Sequence, residues 1–190
     1  MPIAIDFGTC NTVIARWNET RGAVDQIRLD SISRSFPYSL PGESAPREAW
    51  VIPSLIHYGE GETCAIGEQV AAAGLTNERA TFQWVKLEML RNNTRSRKIN
   101  GRLISYPEAA AELLKRMLLF TKGSLGGRNE DLIITVPVEA FDHYIDWIRE
   151  TAANIFHHDI RVIDEATACI FGYQDRVGDG EVHMIVDFGG

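Results

Sequence analysis

The 190-residue sequence has no long uninterrupted apolar run: even Leu113–Phe120 is broken by Lys115 and Arg116, which excludes that stretch as a membrane-spanning helix. A charged leader followed by an apolar region is missing as well, since Met1 runs straight into Ile3-Ala4-Ile5. Cysteine is scarce. Cys10, Cys64 and Cys169 are odd in number, widely separated and without metal-ligand spacing. These absences together set the expectation of a reduced, cytoplasmic compartment, no membrane partner, and thiols that act as small apolar fillers. Positive charge is also short: 19 Lys and Arg against 26 Asp and Glu leave a net charge of −7. Such a surface argues against broad contact with nucleic acid or anionic lipid. An anionic ligand therefore needs local compensation, from backbone N–H groups, a lysine or a metal ion.

What is present is an ordinary globular mixture, 45% hydrophobic and 24% charged, enough for a sizeable core in one large domain or two small subdomains. Ile3–Asp6 reads as a strand ending at Gly8, and Thr12–Trp17 as its return. Residues 18–50 hold Pro37, Pro41 and Pro46 and few apolar runs, so a third strand near Gln26–Leu29 precedes a long loop. Val51–Tyr58 reads as a strand, and Glu68–Gly74 and Thr81–Arg91 as short helices. Ser105-Tyr106-Pro107-Glu108 has the form of a capping box with proline in the first turn. Ala110, Leu113, Leu114, Met117 and Leu118 then continue at helical spacing. Leu132–Val136 is an apolar strand ended by Pro137, and Phe141, Tyr144, Ile145, Ile148, Ala152, Ile155 and Phe156 form a helical stripe. Ile160–Ile163, Glu165–Tyr173 and His183–Asp187 follow as strand, helix and strand. Three strands followed by alternating helices and strands predict an α/β layer with a partly parallel sheet.

One pattern occurs twice. Ile3-Ala4-Ile5-Asp6-Phe7-Gly8-Thr9 and Met184-Ile185-Val186-Asp187-Phe188-Gly189-Gly190 are each an apolar strand ending in Asp-Phe-Gly and a small residue. A buried strand delivers its terminal aspartate to the rim, and the glycine lets backbone N–H groups approach a phosphate. Two such ends facing each other supply two cradles and two carboxylates, a set that favours a divalent cation. Mg²⁺ suits it, since it needs few protein ligands and keeps several waters. Each copy alone also reads as a simple turn after a strand.

The residues that carry a family resemblance lie along the whole chain. Asp6-Phe7-Gly8-Thr9 resembles the first phosphate motif of the actin, hexokinase and Hsp70 superfamily, and Asp187-Phe188-Gly189-Gly190 resembles the start of the second. Ile52-Pro53-Ser54 and Ala65-Ile66-Gly67-Glu68 are similar to the Hsp70 segment entering the outer subdomain. Asp131–Pro137 is similar to the Hsp70 strand ending in Val-Pro, and Ile163-Asp164-Glu165-Ala166-Thr167-Ala168 to its Asn-Glu-Pro-Thr-Ala-Ala segment. The motifs that carry the resemblance lie outside residues 18–50 and 92–103. It implies a ribonuclease-H-like, actin-like ATPase fold: a mixed sheet with flanking helices plus a small inserted outer subdomain. The chain would be the first lobe, with its core at about 1–35 and 104–190, the insert at about 36–103, and a second lobe outside this chain.

The resemblance also implies roles. Gly8, Thr9 and Cys10, with Gly189 and Gly190 across the cleft, would hold the phosphates of ATP or ADP. Asp6 and Asp187 would reach Mg²⁺ largely through its waters, and Asp187 could accept a proton from the attacking water. Lys86 would supply the cation that phosphoryl transfer needs near the γ-phosphate, although a helix lysine is ordinarily solvated. Glu165 would lie near the hydrated metal and Pro137, coupling nucleotide state to shape; Glu165 also simply suits a helix start, and Pro137 a strand end. The implied function is an ATP-binding and ATP-hydrolysing domain of a molecular chaperone, with client peptides and co-chaperones engaged through regions outside this chain.

The sequence also departs from the family pattern. Asp164 and Ala166 replace asparagine and proline, Cys10 replaces a common threonine, and Ile145 stands where Hsp70 proteins carry an arginine used between domains. A bacterial actin-like filament ATPase is the alternative, since it shares the first motif. A ribonuclease-H-like nuclease fits less well, because glycine follows both aspartates and no nucleic-acid face is present. His157-His158 reads as a solvated connector, Arg91–Arg102 as an exposed hairpin or loop, and Trp17, Trp50, Trp84 and Trp147 as packing residues.

Overall fold

The computed structural model describes residues 2–39, 45–61, 63–125, 130–156, 160–173, 178, 180 and 182–186. In β1 (Ile3–Phe7), Ile3, Ile5 and Phe7 are buried while Ala4 and Asp6 are exposed, the period of a strand covered on one face. β2 (Asn11–Asn18) runs back beside it with Thr12 opposite Phe7, and β3 (Ala23–Gln26) pairs with β2. β3 ends where Gln26–Leu29 was expected to begin. Leu29 is instead buried in a turn whose N–H donates to Ser33 Oγ at 3.0 Å.

Residues 18–50 are more than a loop. β4 (Arg34–Tyr38) pairs antiparallel with β5 (Arg47–Pro53). Its side chains are mostly exposed, so it leaves no apolar stripe, and at the sheet's end it tolerates Pro37. The strand expected over Val51–Tyr58 breaks at Ser54. β5 pairs Ile52 and Pro53 with Thr12 and Asn11, and β6 (Ile56–Tyr58) then starts a second, smaller sheet. Its partners are β7 (Cys64–Ile66), which is followed by α1 (Glu68–Ala72), and β8 (Thr81–Phe82). The helix expected over Thr81–Arg91 is the shorter α2 (Val85–Leu90). Thr81 and Phe82 pair with β6, and Trp84 takes a left-handed φ of 56°, so helical winding cannot start earlier.

β9 (Ser96–Ile99) and β10 (Arg102–Ser105) form a hairpin closed by Asn100 (φ 49°) and Gly101 (φ 83°), the pairing that a tight hairpin turn demands. This segment is not merely exposed. The Arg97 guanidinium lies 4.6 Å from the Phe82 ring centre and 5.2 Å from that of Tyr106, and donates to Thr81 O at 2.8 Å. Nor are all the tryptophans packing residues: Trp17 and Trp84 are about half exposed, at 48% and 49%.

α3 (Tyr106–Ser124) starts at the expected capping box, with Ser105 and Glu108 bonded reciprocally, and buries Ala110, Leu113, Leu114, Met117 and Leu118. Each such leucine, taken fully out of water, contributes about 1.5–3 kcal/mol. β11 (Leu132–Val136) lies parallel to β1; α4 (Asp142–Ala153) follows, then β12 (Ile160–Asp164), parallel to β11, and α5 (Glu165–Gly172). Phe141 sits before α4 and is 64% exposed, while Tyr144, Ile148 and Ala152 carry the buried stripe. Among the described residues seven strands form the main sheet, ordered β12-β11-β1-β2-β5-β4 with β3 also on β2. This is a mixed α/β sheet with flanking helices, compatible with the expected ribonuclease-H-like class. One buried cluster joins Ile5, Phe7, Leu113, Ile134 and Tyr144 to Ile56, Ile66 and Phe82 of the smaller sheet.

The strand expected over His183–Asp187 does not form across residues 182–186, where Val182, Met184 and Val186 are exposed at 100%, 88% and 60%. An apolar run becomes a strand only by pairing with a neighbour, and these residues pair with no described strand. Asp187, Gly189 and Gly190, like His157 and His158, lie outside the described residues.

Candidate functional site

The turn Gly8-Thr9-Cys10 joins β1 to β2 at the rim of the sheet. Gly8 N donates to Asp6 O at 3.1 Å. A Cβ on Gly8 would stand 2.1 Å from the Asn11 carbonyl oxygen, so only glycine fits. Ser54 fastens this turn from the side. Its Oγ donates to Gly8 O at 2.8 Å and lies 3.1 Å from Thr12 Oγ1, while its N–H donates to Cys10 O at 2.8 Å. Ser54 was visible in the sequence as the end of Ile-Pro-Ser, but its grip on the turn was not.

Asp6, at the exposed end of β1, accepts a hydrogen bond from Thr135 Oγ1 at 2.8 Å. Thr135 sits on β11, the parallel neighbour, and is the one hydroxyl in Leu132-Ile133-Ile134-Thr135-Val136. That lone polar residue was the available signal, and the strand assignment passed over it. Among the described residues no cluster of three or more His, Cys, Asp or Glu side chains gathers to hold a metal ion. A hydrated Mg²⁺, which needs only one or two carboxylates, fits Asp6.

Lys86 and Glu165 are 79 residues apart and meet: the Lys86 ammonium donates to Glu165 Oε1. Lys86 is 4% exposed, which sets aside the reading of a solvated helix lysine. Its burial is sustained by the carboxylate, since an unpaired ammonium in that place would be expensive. Glu165 opens α5 directly after β12. Asp164 caps that helix, accepting from Thr167 N at 2.8 Å and from Thr167 Oγ1 at 2.6 Å. The Thr167 hydroxyl and then its amide hold the Asp164 carboxyl below the usual range. Pro137 closes β11 beside the end of β12, in register with Val136 opposite Asp164, and its carbonyl accepts from Ala140 N at 2.9 Å.

Beneath these groups lies Tyr144, fully buried in the first turn of α4, its hydroxyl without a hydrogen-bond partner among the described residues. Burial, then the charges of Glu165 and Asp6, push its pKa up. The periodic stripe identified Tyr144 as core and gave no sign of this. A cleft of about 670 Å³ lies elsewhere, lined by Tyr58, Cys64, Glu112 and Lys115 among others. Asp6 is instead exposed at the open rim of the main sheet.

No family model matches the chain. Curated relatives do. The chain is 25% identical over 189 residues to the chaperone protein DnaK of Thermotoga petrophila, covering 99% of this chain and 28% of that protein. It is 22% identical to a chaperone protein HscA homolog of Mannheimia succiniciproducens, covering all of this chain and 31% of the relative. The HscA homolog of Aromatoleum aromaticum is 26% identical, again across the whole chain. The chain is thus similar to Hsp70 chaperones along its whole length.

The chain spans about three tenths of the length of these relatives, 28–31%. Where it departs from the Hsp70 pattern, Asp164 performs a cap, while Ile145 is a half-buried residue of α4. No described helix is long and apolar enough to cross a membrane.

Proposed function

We propose that the chain is the first lobe of an Hsp70-like ATPase domain that holds Mg-ATP against the Gly8-Thr9-Cys10 turn and hydrolyses it. The observation carrying this reading is the buried Lys86–Glu165 pair, which joins the smaller sheet's helix α2 to the rim of the main sheet. Phosphoryl transfer depends on position and charge stabilisation, and Lys86 is a buried cation held at that rim. Gly8, Thr9 and Cys10 offer the β- and γ-phosphates backbone N–H groups on a turn that Ser54 immobilises. Asp6, steadied by Thr135, faces the waters of Mg²⁺, whose charge offsets that of the triphosphate when bound. Asp187, Gly189 and Gly190 complete the opposite cradle, and Asp187 takes the proton of the attacking water.

Residues 1–35 and 104–190 form the core of this lobe and residues 36–103 its insert. Glu165 and Pro137 pass the state of the nucleotide to the rest of the protein, where client peptides and co-chaperones bind. Calorimetric titration of the full-length protein with ATP, with and without Mg²⁺, tests the reading. Magnesium-dependent binding followed by slow turnover is expected. ATP-driven sedimentation as polymer would replace it with the filament alternative.

A further inference from the structure

Tyr144 is placed where a phenylalanine would pack more cheaply. Its ring centre lies 5.6 Å from that of Trp147, which lies 6.3 Å from Phe7, the residue after Asp6. α4 packs on β12, the strand that delivers Glu165. The ring is therefore wholly accounted for by its neighbours, whereas the hydroxyl has lost water and gained no partner among the described residues. A buried O–H of that kind costs stability, and in a well-packed domain such exceptions gather at working sites. The carboxylates whose charge reaches it are Glu165 and Asp6, which together with burial raise its pKa.

Glu165 Oε1 is held by Lys86. A triphosphate draws an ammonium more strongly than a single carboxylate does, and each N–H that turns to a phosphate oxygen is one that Glu165 gives up. Glu165 is then a carboxylate beside further negative charge, in need of another donor. We propose that Tyr144 is a positioning residue whose phenolic O–H takes over Glu165 when Lys86 turns to the phosphate. The inference rests on Lys86 being the cation that meets the γ-phosphate.

The test uses full-length protein carrying Tyr144→Phe, Glu165→Ala, or both, with melting of the free protein and calorimetric titration by Mg-ATP. Tyr144→Phe should leave the melting temperature of the free protein unchanged or higher, and weaken Mg-ATP binding about tenfold. That loss should vanish in the Glu165→Ala background. The tyrosine ultraviolet difference spectrum produced by Mg-ATP should shrink in Tyr144→Phe. Unchanged affinity overturns the inference, as does an equal loss in both backgrounds. A lower melting temperature of the free variant also overturns it, since the hydroxyl would then already have a structural partner. If the unsubstituted protein binds no Mg-ATP, the functional reading falls and this inference with it; if it binds and Tyr144→Phe binds equally, only the inference falls.

Discussion

Lys86 of α2 donates to Glu165 at the start of α5, so a cation from the smaller sheet's side of the molecule is tied to the rim of the main sheet. In the full-length protein, Lys86→Ala should lower the single-turnover hydrolysis rate about a hundredfold or more while sparing nucleotide affinity. It should also cost about 1–3 kcal/mol of stability, because Glu165 is left without its partner, and Lys86→Met with Glu165→Gln should recover part of that. Equal turnover by mutant and wild type would remove Lys86 from the chemistry.

Ser54 bonds Gly8 O and Thr12 Oγ1 through its hydroxyl and Cys10 O through its N–H; Ser54→Ala removes the two hydroxyl contacts and should destabilise the domain by about 1–2 kcal/mol. Calorimetry should show weaker ATP binding at the same time, through a loosened turn. A variant that melts earlier yet binds ATP unchanged would mean that the turn keeps its shape unaided.

Gly8→Ala forces the new methyl against the Asn11 carbonyl, so β1 and β2 must part at the turn. The expected outcome is loss of ATP binding by calorimetry with circular dichroism close to wild type. Full binding by the alanine protein would show that the turn relaxes freely.

Asp6→Asn keeps the Thr135 hydrogen bond and removes the charge. Binding of ATP should then lose most of its dependence on Mg²⁺ in a magnesium titration, while binding without the metal changes little.

Hydrogen bonds lower the folded pKa of two helix-start carboxylates: Asp164, held by Thr167, and Glu108, held by the Ser105 hydroxyl and then its amide. A lowered folded value adds stability that is complete above the ordinary carboxylate range near pH 4 and disappears as pH falls through the folded value. The Asp164→Asn, Glu108→Gln double variant should therefore melt below wild type at pH 7 and converge with it in acid. Melting curves from pH 7 to pH 2 check this, and a gap that widens in acid would contradict it.

Much of the main sheet was readable because its strands and helices bury one face: β1, β11 and α3 each show their period plainly. β4 was missed since its exposed side chains carry no such record, and the broken strand at Ser54 was missed because pairing, not composition, ends it. The site divided the same way. Asp6, Gly8, Lys86 and Glu165 stand in short motifs that a linear reading can find. Ser54's bonds, Thr135's support of Asp6 and Tyr144's unpaired hydroxyl depend on neighbours 46, 129 and more than a dozen residues away, which no local pattern encodes.

Ser54 is also the point where the chain leaves the large sheet for the small one, between β5 and β6. Because it grips the Gly8 carbonyl there, a tilt of the small sheet would pull on the Gly8-Thr9-Cys10 turn at the rim of the large one.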